Sequence, residues 1–404
     1  MSQDGNGSGG YVMTQSFEER NLNALRGWLP AWVQNTHRNY PQVLEEFQYE
    51  DMSVDSLPRP KPGTPAVIIG SGPSLDANAP LLKDWPHPVF STMSNAKNCL
   101  AAGRMPDYIT LFDAGRCGLD HMSGVDWDGA TMLTHPAVHA DVLPAWQWPK
   151  RYFIMWHDNF QWFELITPLA FSEVRVYPDK KPANIRIAVK NAGCTANANI
   201  QLAAWLGYDP LFLVGVDFGF PDGRLRCVKC EPSVPWAPAD KPRDMRGPEG
   251  WDIAQPPTLE DVGKPTVVAP NGIVTTETQI EYMICMFTVQ IRRKMQLFNC
   301  GTGILEDRDI PRADFKEVVD RGGQGFEGQY AEAEAIRERC LAVFDRLSFV
   351  QPEGDADGED SGDGTVADGG GGSAEVDDPE RRDEGAALAG LIQRVDRNSR
   401  GGRA

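Results

Sequence analysis

Ala66-Val67-Ile68-Ile69-Gly70-Ser71-Gly72-Pro73-Ser74-Leu75 is the stretch on which the fold turns: four apolar residues, a glycine turn, and a proline where a helix would begin. An unbroken apolar tetrad bounded by turn residues reads as a strand buried on both faces. Proline, with its fixed φ and missing N–H, is preorganised for a first helical position. Strand, turn and helix start in this order aim backbone N–H groups and the positive end of a helix dipole at whatever sits above the strand. Gly70 and Gly72 allow close backbone approach and Ser71 and Ser74 add hydroxyl donors, so phosphate is the expected guest and Gly72→Val is expected to block it. Two other phosphate turns do not fit. A dinucleotide fingerprint needs a third glycine where Leu75 stands and an acidic residue where the chain reads Ser94-Asn95, and a Walker loop needs a Gly-Lys-Ser/Thr that is absent here.

Outward from this stretch, short apolar runs alternate with helical spacings. Strands are expected at 66–69, 88–92, 108–112, 130–134, 152–156, 174–177, 211–216 and 296–299, with helices at 95–102 and 196–206, the latter closed by Gly207. The alternation predicts a doubly wound, mostly parallel, Rossmann-like α/β sheet with helices on both faces, spanning residues 61–310.

Before it, residues 16–33 and 41–49 have the spacing of two helices. The four prolines of residues 56–65 read as an extended linker, so that 16–60 form a helical N-terminal region preceded by a disordered 1–15. Ten prolines within residues 221–270 break every period, which predicts a long insertion or lid. Thr276 and Gln279 form a capping-box pattern for a helix reaching Met295. Residues 311–350 should hold a C-terminal helix at 329–347. Residues 351–404, rich in Asp, Glu, Gly and Ser, have almost nothing to bury and read as a disordered acidic tail.

The chain has 404 residues and a net charge of −18, of which the tail carries −8, with 14 acidic residues against 6 arginines. Neither part has the basic balance of a direct nucleic-acid binder. No run of 18 apolar residues occurs and the N-terminus lacks a leader pattern, so the expectation is a cytoplasmic protein without membrane contact. Eight scattered cysteines fit reduced thiols better than a disulfide framework. Cys227 and Cys230 form a CxxC with no second ligand pair nearby, which reads as two ordinary thiols.

Polar residues gather at the carboxyl ends of the expected strands, the edge at which such sheets bind ligands. Asn95, Asp113, His135, Asp217 and Asn299 each follow a strand, and Asn191 and Thr195 precede a second helix start. Asp113 and Asp217 are the candidates to hold Mg²⁺, to take a ribose hydroxyl, or to act as a base. Each is equally a turn or cap residue by type.

GSGPSL at 70–75, PDYITLFDA at 106–114, NAGCTANANIQLAAWLGYDPLFLVGVDFGF at 191–220, NGIVTTETQIEYM at 271–283 and LFNCGTGIL at 297–305 occur in this order. Together they resemble the MptE-like superfamily, which groups 6-hydroxymethylpterin diphosphokinases with the motility accessory factor (Maf) flagellin glycosyltransferases. The resemblance implies nucleotide phosphates on Gly70, Ser71, Gly72, Pro73 and Ser74; Asn95, Asn191, Thr195 and Thr276 are expected on the same rim from their places at strand and helix ends. It places Asp113 and Asp217 at acidic positions of the family, as catalytic and Mg²⁺ ligands. It implies a nucleotide co-substrate, ATP or a CMP-sugar, and a small-molecule, glycan or protein acceptor. The reaction would be diphosphate transfer from ATP to a hydroxymethyl group, or glycosyl transfer from a CMP-activated sugar. A nucleotide-responsive binding protein without turnover is the third reading. Cys300-Gly301-Thr302-Gly303 departs from the acidic stretch usual at that point.

Overall fold

In a computed structural model of the chain, the residues described are 17–49, 52, 54–148, 150–154, 156–157, 189–190, 193–224, 227, 266–269, 271–293, 295–306, 309–326, 335–336, 338–339 and 348–349. The strands are β1 (Ala66–Ile69), β2 (Val89–Thr92), β3 (Tyr108–Leu111), β4 (Thr131–Thr134), β5 (Arg151–Phe153), β6 (Trp156–His157), β7 (Val189–Lys190), β8 (Leu211–Val214), β9 (Thr266–Val268), β10 (Val274–Thr276), β11 (Leu297–Asn299) and β12 (Ser348–Phe349). The helices are α1 (Phe17–Tyr49), α2 (Leu75–Asn78), α3 (Met93–Ala101), α4 (Cys117–Met122), α5 (Val142–Ala145), α6 (Thr195–Leu206), α7 (Glu277–Arg293) and α8 (Phe315–Asp320).

Seven strands form one parallel sheet in the order β11-β8-β1-β2-β3-β4-β5. All four β1 residues are buried, because both faces are covered. Val67, Ile69, Val89 and Phe212 meet Leu75, Leu82, Trp85 and Phe315 on one face. Ile68, Phe90 and Leu213 meet Leu202, Leu206, Met283 and Phe287 on the other. The chain steps outward from β1 to β5 and then returns to β8 on the opposite flank of β1. The direction of winding therefore reverses between β1 and β8, which makes that seam the topological switch point.

Three expectations are corrected. The two helices before the linker are one, α1, which runs unbroken through Pro30 and Pro41. Its polar middle is helical because Asn35 donates to the Ala114 and Ala137 carbonyls (3.0 and 3.2 Å) and Asn39 to those of Pro136 and Val138 (2.8 and 2.9 Å). The strand expected at 152–156 divides between β5 and β6, which pairs with β7 instead. An antiparallel hairpin, β10 on β9, with β12 added to it, was not expected. Residues 174–177, the acidic tail, most of the insertion and most of the 329–347 helix lie outside the described residues. Among the described residues no helix is long and apolar enough to cross a membrane.

Candidate functional site

At the switch point β1 runs into Gly70-Ser71-Gly72 and β8 into Gly215-Val216-Asp217, and the two turns interlock. Gly70 N donates to Val214 O (2.8 Å) and Gly72 N to Gly215 O (2.7 Å). A Cβ on Gly70 would overlap the Gly215 carbonyl, and one on Gly72 the Asp217 carboxylate. Glycine stands at both positions so that the two turns can touch. The helix expected after the turn is also shorter: α2 is a single turn of four residues running into a 3-10 segment, Ala79–Asp84. It has little dipole to offer.

The seat expected for a phosphate holds a carboxylate of the chain itself. Asp217, 3% exposed, accepts from Ser74 N (2.9 Å), from Ser74 Oγ (2.5 Å) and from the Thr302 backbone N–H. Burial pushes its carboxyl upward from the usual range, while the Ser74 and Thr302 donors and the Arg224 guanidinium pull it back. Gly301-Thr302-Gly303 wraps this carboxylate: a Cβ on Gly301 would overlap its side chain and one on Gly303 its backbone, and Ile304 N donates to Asp217 O (3.0 Å). The glycines of that motif are thus explained by Asp217.

Asp113 is exposed and closes its own turn, accepting from Gly115 N (2.8 Å) and Cys117 Sγ (3.1 Å). It follows β3, three strands from β8, so roughly 14 Å separates the two acids across the sheet. One Mg²⁺ cannot be held by both. The shared site read from the sequence is corrected on this geometry, and among the described residues no group of three His, Cys, Asp or Glu could hold a metal ion.

Ser71 and Asn95 do come together. Asn95 Nδ2 donates to Ser71 Oγ (2.9 Å) and to Thr92 Oγ1 (3.1 Å), and Thr92 Oγ1 lies 2.8 Å from Ser94 Oγ. This hydroxyl–amide seam bridges the ends of β1 and β2 and has no net charge. Pro73 is buried. The chain leaving β8 crosses outside the turn, where Arg224 pairs with Asp76 (2.7 Å) and Cys227 N donates to Ser71 O (3.0 Å). A cleft of about 240 Å³ lies alongside, between Leu75–Lys83 and Asn98–Ala102, with Cys227 in its wall.

On the other face, α6 leads directly into the parallel strand β8, so its first residue, Thr195, lies at the carboxyl edge. Gly193 is exposed with φ +73°, and Cys194 and Thr195 are half-buried. Asn191 lies outside the described residues. Thr276 is buried at the end of β10, a strand tied to the chain just beyond Asp217 by Thr275 Oγ1 donating to Phe218 O (2.6 Å) and Phe220 N to Val274 O (2.8 Å). His135 is buried with Nδ1 accepting from Ala137 N (3.0 Å), and burial holds its imidazole down at about 3, hence neutral.

Sequence reading missed the cover over one end of this rim. Asn35 and Asn39 hold α1 across the loops that follow β3 and β4, which places the open edge on the β8-β1-β2 side. The available signal was two asparagines one helical turn apart in a stretch without apolar spacing.

A family model described as 6-hydroxymethylpterin diphosphokinase MptE-like matches residues 34–223. Among solved structures, the MAf glycosyltransferase from Magnetospirillum magneticum AMB-1 aligns with 78% of this chain at 16% identity and a TM-score of 0.44. The chain covers 42% of that protein's length. No curated protein matches it.

Proposed function

We propose, on the match of residues 34–223 to the MptE-like family model, that this chain is a nucleotide-dependent transferase with its ligand crevice at the β1–β8 switch point. The observation that carries the reading is the pairing of two features across that edge. The Ser71–Thr92–Ser94–Asn95 seam lies on one side, and the start of the twelve-residue helix α6 on the other. The N–H groups of a helix that long attract phosphate, and the neutral seam supplies donors and acceptors for phosphate or ribose oxygens. Asp217 has a positioning role here, fixing the Ser71 turn through Ser74.

The reaction proposed is diphosphoryl transfer: a hydroxymethyl oxygen of the acceptor attacks the β-phosphorus of ATP, its proton passes to solvent, and AMP leaves. Positioning and charge stabilisation would supply most of the rate. The family description supports this choice. A second reading, glycosyl transfer from a CMP-activated sugar, is favoured by the separation of Asp113 and Asp217, which stand three strands apart and so do not share one metal ion.

Incubating the full chain with ATP and a hydroxymethylpterin-type acceptor, and separately with a CMP-sugar and glycan or protein acceptors, separates the readings. Acceptor-dependent AMP release supports the first and CMP release the second. Binding of a nucleotide with neither release would leave a binding protein and defeat both.

A further inference from the structure

Asn199 lies in the second turn of α6, fully buried, and neither Oδ1 nor Nδ2 has a hydrogen-bond partner. A buried amide with both polar atoms unpaired is uncommon and destabilising. Its neighbours are not in that state. Asn197 Nδ2 donates to Tyr282 O (2.6 Å), and Asn95 is bonded to Ser71 and Thr92.

Helical spacing puts Thr195, Asn199, Leu202 and Leu206 on one stripe, and Leu202 and Leu206 belong to the core packed on the sheet. The stripe therefore faces the sheet, where α6 meets chiefly β1 and β2. Side chains on a helix lean toward its N-terminus, so the Asn199 amide leans toward the Thr195 end and the carboxyl edge. Access improves in the same direction, from buried Asn199 through half-buried Thr195 to exposed Gly193.

We infer that the Asn199 amide is the inner wall of the crevice and reads a ring edge with a donor beside an acceptor, the edge presented by an aminopyrimidine heterocycle. An asparagine amide matches such an edge with two hydrogen bonds. The inference rests on the nucleotide-crevice reading above. Cytosine and adenine would bring this edge with the nucleotide, and a 2-aminopteridine would bring it with the acceptor.

The test is titration calorimetry of the full chain and of Asn199→Leu with CMP, AMP, 2-amino-4-hydroxypteridine and ribose 5-phosphate, beside melting curves without ligand. Leucine fills a similar volume and removes the unpaired amide, so the melting temperature should hold or rise. Affinity for the ring that the amide reads should fall at least tenfold, with ribose 5-phosphate binding unchanged. CMP or AMP losing affinity assigns the amide to the nucleotide, and the pteridine losing it assigns it to the acceptor. Equal ring binding by both proteins would overturn the inference and leave the amide to a trapped water. A parallel loss of ribose 5-phosphate binding would overturn it too. Wild-type protein that binds none of the four ends both this inference and the crevice reading. Should Asn199→Leu not fold, Asn199→Asp, which keeps the shape but replaces the donor with an acceptor, must show the same ring-specific loss.

Discussion

Asp217 joins the ends of β1, β8 and β11 through one carboxylate, and the cost of losing it follows from its three donors. Asp217→Asn turns an acceptor toward Ser74 into a donor and should lower stability by about 2–4 kcal/mol. A urea-unfolding midpoint equal to wild type would contradict that role. Gly72→Ala should also destabilise, by about 1–3 kcal/mol, since the added methyl meets the Asp217 carboxylate and the Gly215 carbonyl. Binding loss in a Gly72→Val variant therefore has to be read beside its stability. His135 gives a signed pH prediction. Its folded form binds a proton only near pH 3, whereas the unfolded chain takes one up near 6.5, so stability is full above 6.5 and falls with acid between those values. The slope is about 1.4 kcal/mol per pH unit. His135→Phe should flatten that part of a stability–pH curve, and an unchanged slope would assign the effect to other groups. At this scale the sequence exposed which polar residues end strands, but not what they touch. Ser74 and Asp217 meet across 143 positions, a distance over which no local period carries information.

α1 shows how one element can be legible in type and wrong in extent. Its apolar spacing fails between residues 34 and 40, which suggested a break, yet Asn35 and Asn39 lie on the buried side and bond to four carbonyls. Hydrophobic periodicity has no way to score a polar residue that is buried because it is bonded. Replacing both by alanine should cost about 2–4 kcal/mol and speed amide exchange in α1 while β1 to β4 stay protected. Equal protection of α1 in the variant would show that the four bonds do not hold it. The sheet strands were easier. β1, β2, β3, β4 and β8 are covered on both sides, so their residues form unbroken apolar or small runs that stand out between glycine and proline. The β9–β10 hairpin was hidden because part of it falls within the proline-rich stretch. The brevity of α2 was hidden because Pro73 signals where a helix starts and not how far it runs.

For the whole molecule, the mostly parallel sheet followed from alternation, but the strand order did not, and with it neither did the strands that flank β1 nor the switch point between β1 and β8. The net charge of −18 is unevenly shared, and residues 351–404 carry −8 of it with little to bury. A chain ended after Gln351, which retains β12, should melt within about 2 °C of the full one by calorimetry. A larger drop would mean that the acidic segment docks on the domain. The position of β1 has a kinetic consequence. Val67 pairs with Val89 on one side and with Phe212 on the other, 22 and 145 positions later. Pairings that far apart close slowly, because a long loop must lose its freedom before any contact rewards it. During synthesis β1 can acquire one neighbour early, yet it waits with its other edge open until β8 has been made. The proposed crevice is built on that late edge, so ligand binding should be among the last properties to return on refolding. A nascent chain stopped before Leu211 has an apolar strand with one open edge where the finished protein has its proposed site.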